Sequence, residues 1–249
     1  MNRINMIKKL IFISSLLLLS LTSNAQTVDE VLEMYYQGLG GREKFNSIKS
    51  WHLIGNSQLG QNPPGEFQFI YVAPNKMKIK TVIDTFEIVQ AISNDSTGWH
   101  QIPPRGIVTP TAMTQQEVDQ LKGQRALVLG PFNNYKEKGA ELTYKGVVMK
   151  DKSEYKKLVL QTKIDGEDGP RSDIFLNNET NLIEIIETQT LSGGAPVTFI
   201  NKLSNYKDID GLMIPFTYAT YVGDKKYTSL DLETIILNKQ YEPSIFDMP

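Results

Sequence analysis

The chain has 249 residues, a formal net charge of −2 and no cysteine. The lack of thiols excludes a disulfide framework and thiolate metal sites, and the charge balance provides no basic stripe of the kind that binds nucleic acid. At this length a hydrophobic core can form without covalent or metal staples.

Residues 1–25 read as a targeting segment. Arg3, Lys8 and Lys9 make a basic start, Leu10 to Leu21 an apolar core, and Ser23-Asn24-Ala25 a small-residue cleavage site. The apolar core is shorter than the roughly 20 residues that span a bilayer. With no cysteine at the cleavage point, it is not a lipoprotein signal. The expectation is a periplasmic protein, cleaved near Ala25-Gln26, with a single domain over residues 26–249.

The remaining chain opens with a helix. Thr27 and Glu30 have the spacing of a capping box. Val28, Val31, Leu32, Tyr35, Tyr36 and Leu39 then recur at helical spacing, and Gly40-Gly41 stops the run. A short second helix is expected from Arg42 to Ile48, burying Phe45 and Ile48. From Ser50 the period becomes alternating. Strands are expected at Trp51–Leu59, Glu66–Val72, Lys76–Lys80, Phe86–Ser93 and Thr97–Ile102. In the third of these, Lys76, Lys78 and Lys80 should face water while Met77 and Ile79 face inward, giving a sheet with one wet face.

Pro103-Pro104-Arg105-Gly106 and Pro110 predict an irregular loop. Thr114 with Glu117 is a second capping box, opening a helix to about Leu129 whose apolar side carries Val118, Leu121 and Leu129. This segment reads as a cover over one face of the sheet or as a static plug. Strands resume at Glu141–Met149, Tyr155–Lys163, Ser172–Leu176 and Leu182–Leu191. Three more fill the last third, with turns at Asp165-Gly166, Asn177-Asn178, Gly193-Gly194, Asp210-Gly211 and Gly223-Asp224.

Chemical motifs are scarce. Both histidines follow tryptophans, in Trp51-His52 and Trp99-His100. They read as solvent-facing strand residues, with a metal pair possible if the two strands were neighbours. The run Asp165-Gly166-Glu167-Asp168-Gly169 reads as an acidic hairpin tip, since it lacks the ligand alternation of a calcium loop. No serine sits in a nucleophile-elbow context, and Leu39-Gly40-Gly41 has no Lys-Ser/Thr after it. No catalytic residue, metal site or cofactor is assigned.

Several stretches carry a family likeness. They are Asn24-Ala25-Gln26, the helix closing on Leu39-Gly40-Gly41, and the turn Asn178-Glu179-Thr180-Asn181-Leu182. To these add Tyr206-Lys207-Asp208-Ile209-Asp210-Gly211-Leu212-Met213-Ile214-Pro215-Phe216 and the ending Ser244-Ile245-Phe246-Asp247-Met248-Pro249. Together they resemble the lipoprotein-carrier (LolA/LolB-like) superfamily, in its Bacteroidetes-type outer-membrane lipoprotein-sorting form. The resemblance implies a mainly β (α+β) fold: a half-open antiparallel β-barrel of about 11 strands, with helices covering the concave face. It also implies an apolar cavity for acyl chains and an arginine in the barrel that fastens the cover. Arg42, Arg105, Arg125 and Arg171 do not align with that arginine, and Arg125 and Arg171 read as surface charges.

The function so implied is a periplasmic carrier, not an enzyme, that shields a lipid acyl chain or lipoprotein in an apolar groove. Candidate lining residues are Phe67, Phe69, Tyr71, Met77, Ile79 and Trp99 from the strands, with Val118 and Leu121 from the covering helix. The same residues equally suit a filled core. The alternatives are an envelope protein-interaction module on the same scaffold without lipid cargo, or a glycan or ester hydrolase.

Overall fold

The computed structural model describes residues 26–164, 166–192 and 194–249. The targeting segment, and Asp165 and Gly193 of two expected turns, lie outside the described residues. Thr27 caps α1 (Val28–Gly38). Its hydroxyl accepts from the Glu30 amide at 3.2 Å, while the Glu30 carboxylate accepts from the Thr27 amide at 2.7 Å. That is the reciprocal pairing the spacing predicts. After the helix, Gly40 and Gly41 take φ of 107° and 113°. Gly40 has no room for a side chain, because a Cβ would stand 2.1 Å from the Gly211 carbonyl oxygen. Next to it, the Leu39 carbonyl accepts from the Met213 amide at 2.9 Å. The end of α1 is thus stitched to the Asp210-Gly211 hairpin, and α2 (Arg42–Ser47) leads into the sheet.

The first run of strands is β1 (Ser50–Leu59), β2 (Gly65–Val72), β3 (Lys76–Ile83), β4 (Phe86–Asn94), β5 (Thr97–Ile102) and β6 (Ile107–Ala112). The second is β7 (Glu141–Lys150), β8 (Ser153–Ile164), β9 (Glu167–Asn177), β10 (Ile183–Ser192), β11 (Ala195–Ile209), β12 (Leu212–Val222) and β13 (Lys225–Leu237). Each run is an antiparallel meander. They join where β1 pairs with β13, with Leu53 opposite Ile235. The sheet order is therefore β6-β5-β4-β3-β2-β1-β13-β12-β11-β10-β9-β8-β7, with β6 and β7 as open edges. The segment between those edges carries α3 (Gln115–Lys122), a 3-10 turn at Gly123–Arg125, and α4 (Ala126–Leu129).

Cross-strand partners share a face. Ile235, Leu53, Phe69, Ile79, Gln90 and His100 oppose one another in turn and mark the inner face. His52, Ile70, Lys78, Ala91 and Trp99 mark the outer one. Two apolar clusters fill the inner side. Val31, Leu32, Tyr35 and Tyr36 of α1 pack on Leu158, Leu160, Ile174 and Leu176. Val118, Leu121 and Val128 of the covering segment pack on Leu53, Phe69, Met77 and Ile92.

The structure revises several expectations. The sheet has 13 strands, not about 11. The stretch around Pro110 is strand β6, which proline permits because an edge strand need not donate on its open side. The covering helix is not continuous to Leu129. It breaks at Gly123, where the conformational freedom of glycine weakens the helix. The outer face of β3–β5 is not simply wet. A 3-10 turn at Pro243–Phe246 lies over it, burying Phe246 to 1 % exposure. Lys78 Nζ donates to the Ile245 carbonyl at 3.1 Å, and Trp99 Nε1 to the Phe246 carbonyl at 3.0 Å. Both histidines are buried, not solvent-facing.

Candidate functional site

An elongated cavity of about 630 Å³ lies between the inner face and the helices. That is within the roughly 300–1,000 Å³ of small-ligand sites. Strand β12 lines it from Leu212 to Thr220, roughly 26 Å of wall at about 3.3 Å per residue. One end is apolar, between Leu39, Trp51, Leu212 and Ile214. The other is polar, with Ser57, Gln58, Asn201, Thr220 and Thr228. Leu59 lines the polar end and is 47 % exposed, so the cavity reaches solvent there.

Three tyrosines punctuate the walls. Tyr206 donates to the Ile183 carbonyl, and Tyr218 makes a long bond of 3.4 Å to the Leu127 carbonyl of α4. Burial pushes the phenols of Tyr35, Tyr206 and Tyr218 far above their ordinary value, so they stay protonated. They add neutral hydroxyls to the cavity walls.

The cover is fastened from its own side. Arg125 Nη2 donates to the Asn75 carbonyl at 2.8 Å and to Asp95 Oδ1 at 3.2 Å. These acceptors sit in the β2–β3 and β4–β5 turns on the rim of the sheet. The hydrogen bond from Asn75, with help from Arg125, holds the Asp95 carboxyl below the usual carboxylate range. Arg125 is only 17 % exposed and its Nε is buried without a partner, so it is not the surface charge expected from sequence.

Of the sequence candidates, Phe67 lines the main cavity. Phe67, Ile79 and Leu121 line a smaller chamber beside it. Phe69, Tyr71, Met77 and Val118 are buried in the solid packing beneath α3. Trp99 lies on the opposite face, under the C-terminal turn. Sequence reasoning missed the later strands, which supply Ile186, Leu203, Tyr206 and Tyr218. The signal was present in the alternation through Leu203 and in the aromatic pair Tyr206 and Tyr218, but nothing local told which face was concave. The two histidines do not meet, since β2, β3 and β4 lie between their strands and they occupy opposite faces. Among the described residues, no group of three or more His, Asp or Glu side chains converges as a metal site would.

The same fold is found in known structures. A LolA superfamily protein from Nitrosomonas europaea superposes with a TM-score of 0.57 at 11 % identity, covering 90 % of this chain and 98 % of that one. The fold is that of the LolA superfamily. An outer membrane lipoprotein-sorting protein domain from Vibrio parahaemolyticus gives 0.57 at 12 % identity, over 88 % and 95 % of the two chains. A DUF1329 family protein from Desulfovibrio piger gives 0.58 at 10 % identity, over 90 % and 98 %. No family model and no curated protein sequence matches the chain. Within this LolA-type fold the fastening arginine is reversed in polarity from the one the resemblance implies. It belongs to the cover and grips the rim.

Proposed function

We propose that the protein is a periplasmic carrier, formed as one domain over residues 26–249, that shields an acyl chain of a lipid or lipoprotein without catalysing any reaction. The observation that carries this reading is the 630 Å³ cavity, elongated, apolar at its closed end and roofed by a fastened cover. Each methylene withdrawn from water contributes about 0.8 kcal/mol. A long chain laid along Ile186, Leu203 and Leu212 would therefore be held firmly without any charged contact. The shared fold with a LolA superfamily protein and with an outer membrane lipoprotein-sorting protein domain supports the reading. No described helix is long and apolar enough to cross a membrane. A docking protein of the envelope would be the natural donor or acceptor of the cargo.

Native mass spectrometry of the protein purified from its own envelope, followed by organic extraction, tests this. The expected result is a stoichiometric adduct that extracts as lipid or acylated peptide. Leu203→Trp, which fills the cavity from a half-buried position, should lose the adduct while keeping its β-sheet circular dichroism. A clean mass for the wild type that stays clean after incubation with fatty acid or lipopeptide would overturn the carrier reading. The scaffold would then be left as an interaction module.

A further inference from the structure

The smaller chamber, of about 430 Å³, lies between α3 and the inner face of β3–β5. It shares Phe67 and Gln124 with the main cavity, and the chemistry changes across that boundary. Gln90 and His100 stand on its sheet wall, Gln120 and Gln124 on the cover, and Arg105 at the turn between β5 and β6. None of these five side chains has a hydrogen-bond partner among the described residues. His100 is the telling one, because it is only 6 % exposed yet directs an unpartnered imidazole at the chamber. Arg105, Gln120 and Gln124 are exposed and Gln90 is half-buried, so His100 is the one buried member of this wall without a hydrogen-bond partner among the described residues.

Among the described residues, the chamber carries one cation, Arg105, and one carboxylate, Glu117, which is committed to the cap of α3. Its carboxylate, Glu117, already accepts from the Thr114 amide and hydroxyl, each at 2.8 Å. Arg105 has no carboxylate within ion-pairing distance among the described residues, leaving a guanidinium fork and several amide N–H groups as free donors. Arg105 also borders an outer hollow of about 510 Å³ that reaches the main cavity at Leu59. Asp84 lines that hollow but not the chamber. Arg105 thus borders both the chamber and the outer hollow, without lining the main cavity itself.

We propose that this chamber is a head-group site, holding the oxyanion of an amphiphile (a carboxylate or a phosphate) whose hydrocarbon lies in the main cavity. Arg105 supplies the charge, and His100 with Gln90 and the cover glutamines supplies hydrogen bonds. The head of the ligand spans sheet and cover, so a filled chamber ties the two together. This inference rests on the carrier reading and adds the class of cargo to it.

Binding of hexadecanoate, hexadecyl phosphate and methyl hexadecanoate to the purified protein, at a pH where the acid is ionised, tests it. The anionic probes should bind about tenfold or more tighter than the ester. Whichever of the two binds tighter identifies the head as carboxylate or phosphate. Arg105→Gln, on an exposed turn, should bring the preference down towards unity, and His100→Gln should reduce it. The chain holds two histidines, so the His100 imidazole resonance can be followed, and it should move with the anionic probes and not with the ester. Equal binding of acid, phosphate and ester by the wild type, or a full preference kept by Arg105→Gln, would overturn the head-group site and leave the carrier intact. Failure of all three probes to bind would remove the carrier reading, and the head-group site with it.

Discussion

Arg125 and His52 show how single side chains set different parts of this molecule. Arg125 joins the cover to two rim turns, and the Asp95 end of that contact is 62 % exposed. Most of its value therefore comes from the Asn75 carbonyl, and Arg125→Ala should cost about 1–2 kcal/mol. Amide exchange over Gln115–Leu129 should quicken by about tenfold while α1 is unaffected. Unchanged exchange would deny Arg125 its fastening role. Because the folded Asp95 carboxyl titrates below its ordinary value, the ion pair persists above that value and is lost only as pH falls through the lower one. Mild acid should leave the cover fastened. His52 behaves differently. Its ring accepts from or donates to the Tyr241 hydroxyl at 2.8 Å, and burial, with Lys239 nearby, lowers its pKa from 6.5. The unfolded imidazole takes a proton before the folded one does, so this contribution is full above pH 6.5 and falls as pH drops below it. Denaturant midpoints on either side of that pH should show the loss, and His52→Gln should flatten it. An identical slope in the variant would assign the effect elsewhere.

At the scale of elements, the C-terminal turn is the part whose role differs most from its appearance in sequence. Phe246 is 1 % exposed, its own carbonyl accepts from Trp99, and the neighbouring Ile245 carbonyl accepts from Lys78. Phe246→Ala should destabilise the protein by about 3–5 kcal/mol and shift Trp99 fluorescence to longer wavelength. A change under about 1 kcal/mol would mean the turn is a loose appendage. Local signals found α1 and its capping box, the cap at Thr114, and most strands to within a few residues. These depend on contacts three or four residues apart, or on a period that repeats along one strand. The lysine alternation in β3 correctly separated two faces. It could not reveal that one of them is covered by a residue 167 positions later. Pro110 misled in the opposite sense, since only the tertiary placement of β6 at an edge makes a proline strand acceptable.

For the whole molecule, the antiparallel sheet and the helical cover were legible, but the cavity lay on strands that the sequence reading did not select. Phe67 was found because its strand shows strict alternation. Leu203, Tyr206 and Tyr218 were passed over because concavity is a property of the assembled sheet. The seam between β1 and β13 has a further consequence. Every other strand pair is a neighbour in the chain, and each hairpin can close as soon as it exists. Leu53 must wait for Ile235, its partner at the other end of the fold. Loop closure over that distance is slow compared with hairpin formation. Folding should thus proceed as two curled half-sheets that zip together last, and the cavity does not exist until they do. A chain emerging progressively can fasten its lid to the first half-sheet, but it cannot make the container before β13 arrives, so it cannot capture cargo prematurely while incomplete.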